Sequence, residues 1–410
     1  MLIVVNRTGN AGQDKGYGKL RRMRILTVDV GTGTQDILLY NSGLDMENNF
    51  KLVVPSPTMM VRRQIKQATK HEKAILLSGV TMGGGPNAWA AEDHLRAGLP
   101  IYATPDAART FNDDLEAVEK MGIRVVSEDE AEALPDSILR LSLQDLDFVA
   151  ITQAFQHFGI SLENLEAVAV GVFDHGNAPP DVSDRKFRFD YLDERIRRLN
   201  RLSAFAYRAE DVPPSMTRLQ CVVDSAKGID CPLVVMDTAP AAVLGATLDP
   251  NVAAKDRVMV ANIGNFHTLA FRLGQQGIEG LFEHHTGFLN KSKLERLLRL
   301  LGEGSIRNED VFNDQGHGAL MYDSTALKFG EGEYDVAITG PRRSLFTSES
   351  SHEERLPLRP YYPAPFGDMM ITGCFGLLAA VADVMPEMAE PIQRSLKARK
   401  RTGVAPWELD

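Results

Sequence analysis

The sequence predicts an α/β protein that consists of two similar lobes with a cleft between them. Three observations support this fold class: the length of the chain, an alternation of strand-like and helix-like segments, and an internal repeat. A chain of 410 residues is too long for one simple core and about right for two or three domains. A hydrophobic content of 44% is enough to fill the interiors of such domains.

Strand-like and helix-like segments alternate along the first half of the chain. The predicted strands are residues 25–30, 35–40, 52–54, 74–78, 101–103 and 167–173, and the predicted helices are residues 88–97, 105–121 and 189–208. This alternation favours a sheet that is mainly parallel. The helix predicted at 189–208 is charged and amphipathic, which indicates a peripheral position.

An internal repeat connects the two halves of the chain. Residues 25–40 read ILTVDVGTGTQDILLY, and residues 258–273 read VMVANIGNFHTLAFRL. Aligned without gaps, each copy has four small or apolar residues, then Asp29 or Asn262, an aliphatic residue, a glycine, a polar turn and a second strand. Two distant copies predict duplicated domains that each begin with a β-hairpin, rather than a solenoid.

The repeat also suggests domain boundaries. We expect a loose tail at residues 1–22, because Met23 immediately precedes the first strong strand. The first lobe is predicted at residues 23–230, with an insertion around residues 145–230, and the second lobe at residues 231–410.

The turn of each hairpin has the composition of a phosphate-binding loop. Tight glycine-rich turns offer backbone N–H groups that no side chain blocks, and threonines add hydroxyl donors. The residues predicted to contact a phosphate are Gly31, Thr32, Gly33, Thr34, Gly264, Asn265 and Thr268. Asp29 lies near the end of the first strand and is a candidate ligand for Mg²⁺, either directly or through water. Either hairpin alone is equally well an ordinary tight turn, but the pair is stronger evidence, and we expect the two turns to face each other across the cleft.

These segments resemble the motifs of the superfamily that joins actin, heat-shock chaperones, sugar kinases and 2-hydroxyacyl-CoA dehydratase activators. The sequence VDVGTGTQDILLY is similar to its first phosphate motif, and VANIGNFHTLAF is similar to its second. Residues 236–250, MDTAPAAVLGATLDP, resemble the connecting helix that precedes the second motif. The resemblance implies two duplicated ribonuclease-H-like lobes and an interdomain nucleotide cleft that holds ATP and Mg²⁺.

Two segments compete for the adenosine motif of that superfamily, in which a strand runs into a glycine-rich helix start. Residues 335–346 read DVAITGPRRSLF and contain Gly340, whereas residues 367–381 read GDMMITGCFGLLAAV and contain Gly373 and Gly376. The resemblance implies that such a turn lets a nucleoside pack against the backbone. The sequence leaves the choice between the two segments open.

Three residues are candidates for catalysis. In sugar kinases of the superfamily an Asp at the start of the connecting helix acts as a general base; Asp237 lies at nearly that position, although it is also a favourable N-cap. Asp174 and His175 follow a predicted strand, and they are interpreted as an acid/base pair, as two metal ligands or as part of a capped turn. The second motif has Asn262 where actin and the chaperones have Asp, which weakens the expectation of ATP hydrolysis of their type.

Two further patterns have both a functional and a structural interpretation. Residues 79–86 hold three adjacent glycines between a predicted strand and a predicted helix, which is typical of an anion-binding loop or of a flexible loop. His284 and His285 occur together without the spacing that defines a metal site, so an exposed strand end is predicted. The chain has no GxxxxGKS/T motif, and GTGTQD lacks the third glycine of a dinucleotide fingerprint.

Composition restricts the partners and the compartment. A formal net charge of -10 argues against a dedicated nucleic-acid binder. Cys221, Cys231 and Cys374 form neither a disulfide framework nor a zinc ribbon, and they suit a reducing cytoplasm. The longest apolar run, residues 371–385, is interrupted by Asp383 and is too short to cross a bilayer. We therefore expect a cytoplasmic protein without nucleic-acid or membrane partners.

The sequence thus predicts an ATP-dependent phosphotransferase or ATPase that acts on an unidentified small molecule or partner protein. The alternative is a non-catalytic nucleotide-binding or scaffold protein that keeps the fold, and Asn262 is its main support. A homodimer is compatible with either interpretation. The chain is also similar to a family labelled as pyruvate formate-lyase-activating, but it has no CxxxCxxC run that would hold an iron–sulfur cluster.

Overall fold

The computed structural model of the protein describes residues 22–346, 357–397 and 403–408. Of the tail predicted at residues 1–22, only Arg22 lies within these ranges. The helices in the described ranges are all too short or too polar to cross a membrane. The described residues form three β-sheets with helices packed against them, which confirms the predicted α/β class.

The strands and helices are numbered in chain order. The strands are β1 Arg24–Val30, β2 Thr34–Asn41, β3 Phe50–Pro55, β4 Ile75–Gly79, β5 Ile101–Ala103, β6 Arg124–Val125, β7 Leu139–Leu143, β8 Ala167–Val172, β9 Ala206–Arg208, β10 Leu233–Asp237, β11 Val258–Ile263, β12 His267–Gly274, β13 Gly277–His285, β14 Gly318–Met321, β15 Val336–Thr339 and β16 Pro360–Tyr361. The α-helices are α1 Pro57–Lys70, α2 Pro86–Arg96, α3 Pro105–Ala108, α4 Leu115–Lys120, α5 Glu128–Glu132, α6 Phe148–His157, α7 Asp184–Arg198, α8 Thr217–Ser225, α9 Thr238–Ala246, α10 Pro250–Ala253, α11 Lys291–Glu303, α12 Asn308–Phe312, α13 Thr372–Val384 and α14 Pro386–Lys397.

The first six-stranded sheet has the order β3-β2-β1-β8-β10-β9. Its first three strands form an antiparallel meander, β8 and β10 continue the sheet in parallel with β1, and β9 closes it in the antiparallel sense. Helices cover both faces of its centre, so the alternating side chains of β1 enter two different cores. Ile25 packs with residues of α13 on one face, and Leu26 and Val28 pack with residues of α6 and α8 on the other.

The second six-stranded sheet has the order β14-β13-β12-β11-β15-β16 and repeats this arrangement. Its antiparallel strands are β11 to β14, and β15 lies parallel to β11 on the other side. Residues 25–40 and 258–273 therefore occupy equivalent positions, since each segment forms the first hairpin of its sheet. In both sheets a parallel strand flanks the first strand of the hairpin.

A third, parallel sheet has the order β6-β5-β4-β7 and lies between β3 and β8 in the chain. The third sheet and its helices lie within residues 57–143, which differs from the insertion predicted around residues 145–230. Residues 145–230 contain β8 and β9, which belong to the first sheet. The boundary predicted at 230/231 also differs, because β10 pairs with β8, and α13 and α14 pack on the first sheet. These pairings join distant parts of the chain, and no local pattern encodes them.

The helix predicted at residues 105–121 is wrong as a single element. Helix α3 ends at Ala108, and α4 begins only at Leu115. Asp114 starts the second helix, because its carboxylate accepts the N–H of Glu116. The connection between the two helices contributes residues to the wall of the cavity described below.

Helix α7 differs in bounds and position from the helix predicted at residues 189–208. It begins after Ser183, whose hydroxyl caps it, and ends at Arg198, where a 3₁₀ turn and β9 follow. It is not peripheral, because Phe189 and Leu192 are buried in the core that α9 shares with the second sheet. The composition of this helix is charged, but its apolar side lies between the two sheets.

Helices α9 and α13 cross at very short distance. A Cβ atom on Gly245 would lie 1.8 Å from the carbonyl oxygen of Thr372, and one on Gly376 would lie 1.8 Å from that of Ala241. Only glycine leaves room for this approach. Gly376 is therefore a helix-packing residue, and it does not line the cavity described below. Thr238 and Thr372, at the N-terminal ends of the two helices, line the same cavity.

Candidate functional site

A cavity of about 590 Å³ lies between the two six-stranded sheets. Its wall includes the turns of both first hairpins, the glycine-rich loop before α2, the loop after β8 and the turn after β15. The two hairpin turns face each other closely, since a Cβ atom on Gly33 would lie 3.2 Å from the side-chain nitrogen of Asn265. The cavity is therefore a cleft into which both copies of the internal repeat extend.

Most of the residues predicted for the site lie on this cavity. Those that line it are Asp29, Gly31, Thr32, Gly33, Thr34, Asp174, His175, Gly264, Asn265, Gly340 and Gly373. The predicted site residues that do not line it are Asp237, Thr268 and Gly376. Asn262, whose identity departs from the chaperone motif, also lines the cavity.

The two hairpin turns have the same internal hydrogen bond. The N–H of Gly31 donates to the carbonyl oxygen of Thr34, and the N–H of Gly264 donates to that of His267, each at 2.9 Å. Among the described residues, the turn N–H groups that donate to no protein acceptor are those of Thr32, Gly33, Asn265 and Phe266. Each turn thus offers backbone donors to an anion.

Asp29 is held at the end of β1 by three close neighbours. The hydroxyl of Thr238 donates to its carboxylate at 2.6 Å. Gly171 and Gly373 leave the space that the carboxylate fills, since a Cβ atom on Gly373 would lie 1.8 Å from Oδ2. Burial raises the pKa of Asp29 to about 6, the Thr238 hydrogen bond opposes this shift, and the charge of Asp237 adds to it.

Asp36 is a cavity residue that the sequence interpretation missed. It pairs with Asp29 in the register of β1 and β2, so the two carboxylates lie next to each other on one face of the hairpin. Its Oδ1 atom is buried without a hydrogen-bond partner among the described residues. Burial, and then the charge of Asp29, raise the pKa of Asp36 to about 8. Counting the pairing outward from the turn would have found this residue in the sequence.

These two carboxylates fit a hydrated Mg²⁺ ion. Magnesium takes oxygen ligands, keeps several waters and is usually held by one or two carboxylates. The buried Oδ1 atom of Asp36, which has no hydrogen-bond partner among the described residues, is the observation that supports this fit. The first hairpin thus places acidic oxygens beside its backbone donors.

Asp237 is fully engaged in the protein interior and does not line the cavity. Its carboxylate accepts the N–H of Ala239 at 3.1 Å as the N-cap of α9, and it forms a buried ion pair with Arg188. Arg188 also donates to Glu283 at 3.1 Å. A base that is buried between these partners is not available to a substrate hydroxyl.

Thr268 is also turned away from the cavity. Its side chain is completely buried, and its hydroxyl lies 2.9 Å from the hydroxyl of Thr286. Thr268 follows His267, which is the last residue of this hairpin that lines the cavity. Thr268 already belongs to β12, which begins at His267. The Thr268 side chain is therefore not placed to contact a ligand in the cavity.

Asp174 and His175 have different environments although both line the cavity. The Asp174 carboxylate accepts the N–H groups of Gly176 at 2.8 Å and Leu219 at 2.9 Å, so it fixes the loop after β8 to the start of α8. This is the capped turn that was one of the sequence interpretations. His175 is exposed, and its Nδ1 atom lies 2.6 Å from the carbonyl oxygen of Gly176. Of the two, only His175 has a side chain that is free to meet a ligand.

The glycine-rich loop before α2 contacts the second hairpin directly. A Cβ atom on Gly85 would lie 2.5 Å from the ring of Phe266, and Trp89 meets the same ring edge-on with centroids 5.7 Å apart. The loop therefore closes one side of the cavity. The third sheet reaches the cleft through this contact.

Arg218 is a second cavity residue that sequence reasoning missed. It donates to both carboxylate oxygens of Asp145, at 2.7 and 3.0 Å, and to the carbonyl oxygen of Phe173 at 2.7 Å. It also packs under Gly83, where a Cβ atom would lie 2.5 Å from its guanidinium. A single arginine on a helix belongs to no sequence motif, so the sequence does not indicate that Arg218 lies at the cavity.

The two candidate adenosine segments differ in structure. Residues 335–346 contain strand β15, which ends in a turn at Gly340 with a φ of +99°. A Cβ atom on Gly340 would lie 2.6 Å from Oδ1 of Asn262. Residues 367–381 contain no strand; they begin at Gly367, the last residue of a 3₁₀ turn, and include most of α13. Only the first segment has the strand followed by a glycine turn, although both reach the cavity.

The fold and the cavity define an α/β protein in which two sheets with the same arrangement of their first strands face a common cleft. The chain belongs to the family described as "Putative pyruvate format-lyase activating enzyme (DUF1786)", whose model matches residues 82–345, more than half of the chain. This confirms the family label expected from the sequence. No curated protein matches the sequence.

Several solved structures match the chain at low similarity. A ROK hexokinase from Thermus thermophilus has 12% sequence identity and a TM-score of 0.22, over 62% of this chain and 48% of that chain. An exopolyphosphatase-like protein has 10% identity and a TM-score of 0.20, over 72% of this chain and 58% of its own. A nucleotide-free acetone carboxylase has 11% identity and a TM-score of 0.20, over 63% and 45%. The chain thus spans between 45% and 58% of the length of these structures.

Proposed function

We propose that the protein binds Mg²⁺-ATP in the cleft and acts as an ATP-dependent phosphotransferase or ATPase. The observation that carries this proposal is the pair of glycine-rich turns that face each other, with Asp29 and Asp36 beside the first turn. Facing backbone donors and a nearby pair of acidic oxygens complement a polyphosphate and its divalent ion.

We also infer that the two six-stranded sheets are duplicated lobes of the ribonuclease-H-like type. Their strand orders agree over the meander and the flanking parallel strand, and their first turns share the same internal hydrogen bond. A nucleotide cleft between two such lobes is the arrangement that the resemblance to the actin and sugar-kinase superfamily implies. The third sheet would then be an addition to the first lobe.

The phosphates of the nucleotide would lie between the two turns. The N–H groups of Thr32, Gly33 and Asn265 are the proposed donors to phosphate oxygens. Asp29 and Asp36 would hold the hydrated Mg²⁺, which neutralises charge on the phosphates during transfer. The nucleoside would pack along the turn at Gly340, where the backbone approaches the cavity without a side chain.

The acceptor would enter from the side of the cavity that carries charged groups. Arg109, Asp113, His175 and Asp184 line this part of the wall. Because the carboxylates of Asp174 and Asp237 are used inside the protein, His175 is the candidate acid/base group that remains from the sequence interpretation. Cationic and anionic side chains together favour a polar acceptor, either a small molecule or a side chain of a partner protein.

The activity named in the description of the family would need a different set of ligands. A radical activase holds an iron–sulfur cluster through three converging cysteines. Here Cys374 is buried on one face of the first sheet and Cys231 packs on the opposite face, so the sheet separates their thiols. The arrangement of these cysteines supports an ATP-driven role rather than a cluster-based one.

Isothermal titration of the full chain with ATP tests the proposal. We expect wild-type binding to require Mg²⁺, and Asp29→Asn to weaken binding in Mg²⁺ by at least about tenfold, which corresponds to about 1.4 kcal/mol. Asp93→Asn is the matched control, because Asp93 is exposed on α2 and pairs with Arg96 at the surface. Equal affinity of wild type and Asp29→Asn in Mg²⁺ would remove Asp29 from the site.

A product assay distinguishes an enzyme from a silent nucleotide binder. Release of ADP by a protein that binds Mg²⁺-ATP supports the phosphotransferase or ATPase, and His175→Ala is expected to slow this release without changing ATP affinity. Binding without any ADP release, with or without cell metabolites as acceptors, would favour the scaffold alternative that Asn262 suggested. The two measurements therefore separate binding from chemistry.

A further inference from the structure

Three histidines of the second sheet converge beside the cleft. His267 begins β12, His285 ends β13, and His317 immediately precedes β14. Their candidate ligand nitrogens all lie within 4.8 Å of one another. The ring centroids are 5.1 Å apart for His267 and His285, 4.9 Å for His267 and His317, and 4.6 Å for His285 and His317.

The strand register explains this convergence. His267 and His285 are direct cross-strand partners, so their side chains lie on the same face. The N–H of His317 donates to the carbonyl oxygen of Glu283 at 2.9 Å, which brings the third imidazole to the same edge. His284 points the other way, is completely buried, and has its Nε2 atom 3.4 Å from Asp314. The exposed strand end predicted for His284 and His285 is therefore wrong.

A buried carboxylate orients the cluster. Glu283 accepts a hydrogen bond from Nδ1 of His267 at 3.0 Å, which leaves Nε2 of this residue for a ligand. Arg188 donates to the other oxygen of Glu283 at 3.1 Å and helps to hold the pKa of this carboxyl far below its usual range despite burial. Such a carboxylate–histidine contact is the usual outer support of a metal-bound imidazole.

The imidazole of His317 is available as a ligand. Its Nδ1 atom is buried without a hydrogen-bond partner among the described residues, and it lies 3.7 Å from Oε1 of Glu283. A neutral imidazole binds a metal ion through the lone pair of its unprotonated nitrogen.

We propose that His267, His285 and His317 bind a divalent transition-metal ion of the Zn²⁺ type. Three imidazoles match the ligand number of catalytic zinc sites, which keep a fourth position open. His267 is the member of the cluster that lines the cavity, so the open position faces the cleft next to Phe173, whose ring centroid is 4.1 Å from that of His267. The ion would fix the end of the second phosphate turn to β13 and β14.

This site is distinct from the proposed Mg²⁺ site. Imidazole nitrogens suit Zn²⁺, Co²⁺ and similar ions, whereas the carboxylates of Asp29 and Asp36 suit Mg²⁺. Zn–N distances of about 2.1 Å in a tetrahedron place ligand nitrogens about 3.4 Å apart. The candidate nitrogens lie within 4.8 Å of one another, so no pair needs to close by more than about 1.4 Å (4.8 minus 3.4) on binding. The proposal does not depend on nucleotide binding.

Titration of the chelator-treated, full-length protein with Co²⁺ and then Zn²⁺ tests this proposal in the absence of nucleotide and Mg²⁺. We expect one Co²⁺ ion per chain with the intense visible absorption of a tetrahedral site, and displacement of this ion by Zn²⁺. Loss of one direct ligand should weaken Zn²⁺ binding by more than about 100-fold, beyond the effect of an outer support, in both His285→Ala and His317→Ala. His157→Ala, at an exposed position on α6, is the control that should bind as the wild type does.

Thermal unfolding provides the second readout. Zn²⁺ should raise the melting temperature of the wild type and of His157→Ala, and leave that of folded His285→Ala unchanged. Absence of stoichiometric binding to the wild type overturns the proposal. Unchanged Zn²⁺ affinity in both ligand variants overturns it as well, because the ion would then be bound elsewhere.

Discussion

Asp29 and Asp36 lie side by side on adjacent strands and face the same cavity. The raised pKa of Asp36 means that the folded chain keeps a proton that the unfolded chain has already released. A carboxylate pair of this kind destabilises the ion-free protein at neutral pH, and a bound cation would stabilise the folded protein. The stability of the protein should therefore report on the site even without a nucleotide.

The first prediction concerns the pH dependence of stability in chelator-containing buffer. The pKa of Asp36 is 3.8 in the unfolded reference and about 8 in the folded protein. Between these pH values the folded state binds more protons, so the free energy of unfolding contributed by Asp36 falls as pH rises from about 4 to about 8. Asp36→Asn removes this loss, and the variant should gain stability relative to the wild type at pH 8 but not at pH 4.

Denaturant unfolding at the two pH values measures this difference. Millimolar Mg²⁺ at pH 8 should stabilise the wild type and have little effect on Asp36→Asn. Asp93→Asn, with its exposed carboxylate, is again the control. The same stability difference between wild type and Asp36→Asn at both pH values would contradict the account of the carboxylate pair.

Local composition allowed prediction of some residues of the cleft and not of others. The turn residues from Gly31 to Thr34 could be predicted to line the cleft because the hydrogen-bond donors of a hairpin turn are its own backbone and hydroxyl groups. The role of Asp237 was not readable, because its partner Arg188 lies 49 positions away. Arg188 also reaches Glu283, 95 positions away, and a charged residue of a polar helix does not indicate burial between two acids.

At the scale of elements, α9 and α13 pack closely where they cross. The first residue of each helix lines the cavity. Each helix has a glycine at the crossing, and the carbonyl oxygen of the other helix occupies the place of its side chain. The crossing also positions Gly373, three residues before Gly376, against Asp29. A movement of α13 should therefore change the position of the Asp29 carboxylate.

The second prediction is that Gly376→Ala destabilises the protein. The added methyl group meets the backbone of α9, which cannot move away as a side chain can, so we expect a loss of about 1–3 kcal/mol. Equilibrium unfolding in urea measures this change. Gly287→Ala is the matched control, because a Cβ atom there meets nothing within 4 Å. A variant as stable as this control would show that the helices do not approach so closely.

The elements that sequence patterns predicted are those with local hydrogen bonding. Both hairpins of the repeat were found because their strands are separated only by a short turn. The parallel strand β8 was recognised as buried, but its pairing with β1 joins residues 25–29 to residues 167–171, and this required the structure. For the same reason the third sheet, built from four short parallel strands, was not recognised as the additional unit.

At the scale of the whole molecule, Arg188 joins the two six-stranded sheets. It lies on α7 and pairs with Asp237 at the end of the first sheet and with Glu283 in the second sheet. All three side chains are buried. Loss of either carboxylate would leave Arg188 with an incompletely paired buried charge, which destabilises the fold.

The third prediction is that Asp237→Asn acts on stability and not on chemistry. Asparagine caps a helix about as well as aspartate, but it leaves Arg188 with one anionic partner. We expect a loss of about 1–3 kcal/mol in the free energy of unfolding, and unchanged turnover per folded molecule. Asp114→Asn, which changes an exposed cap without an ion pair, should cost much less. A large loss of turnover at unchanged stability would restore Asp237 as a catalytic base.

A crystal structure with Mg²⁺ and a non-hydrolysable ATP analogue tests the central claim most directly. The account predicts that the phosphates lie between the turns at Gly31–Thr34 and Gly264–His267, with Mg²⁺ within reach of Asp29 and Asp36 and the nucleoside along the turn at Gly340. A nucleotide bound outside the cleft, or a cleft that stays empty at saturating analogue while the protein remains folded, would contradict it.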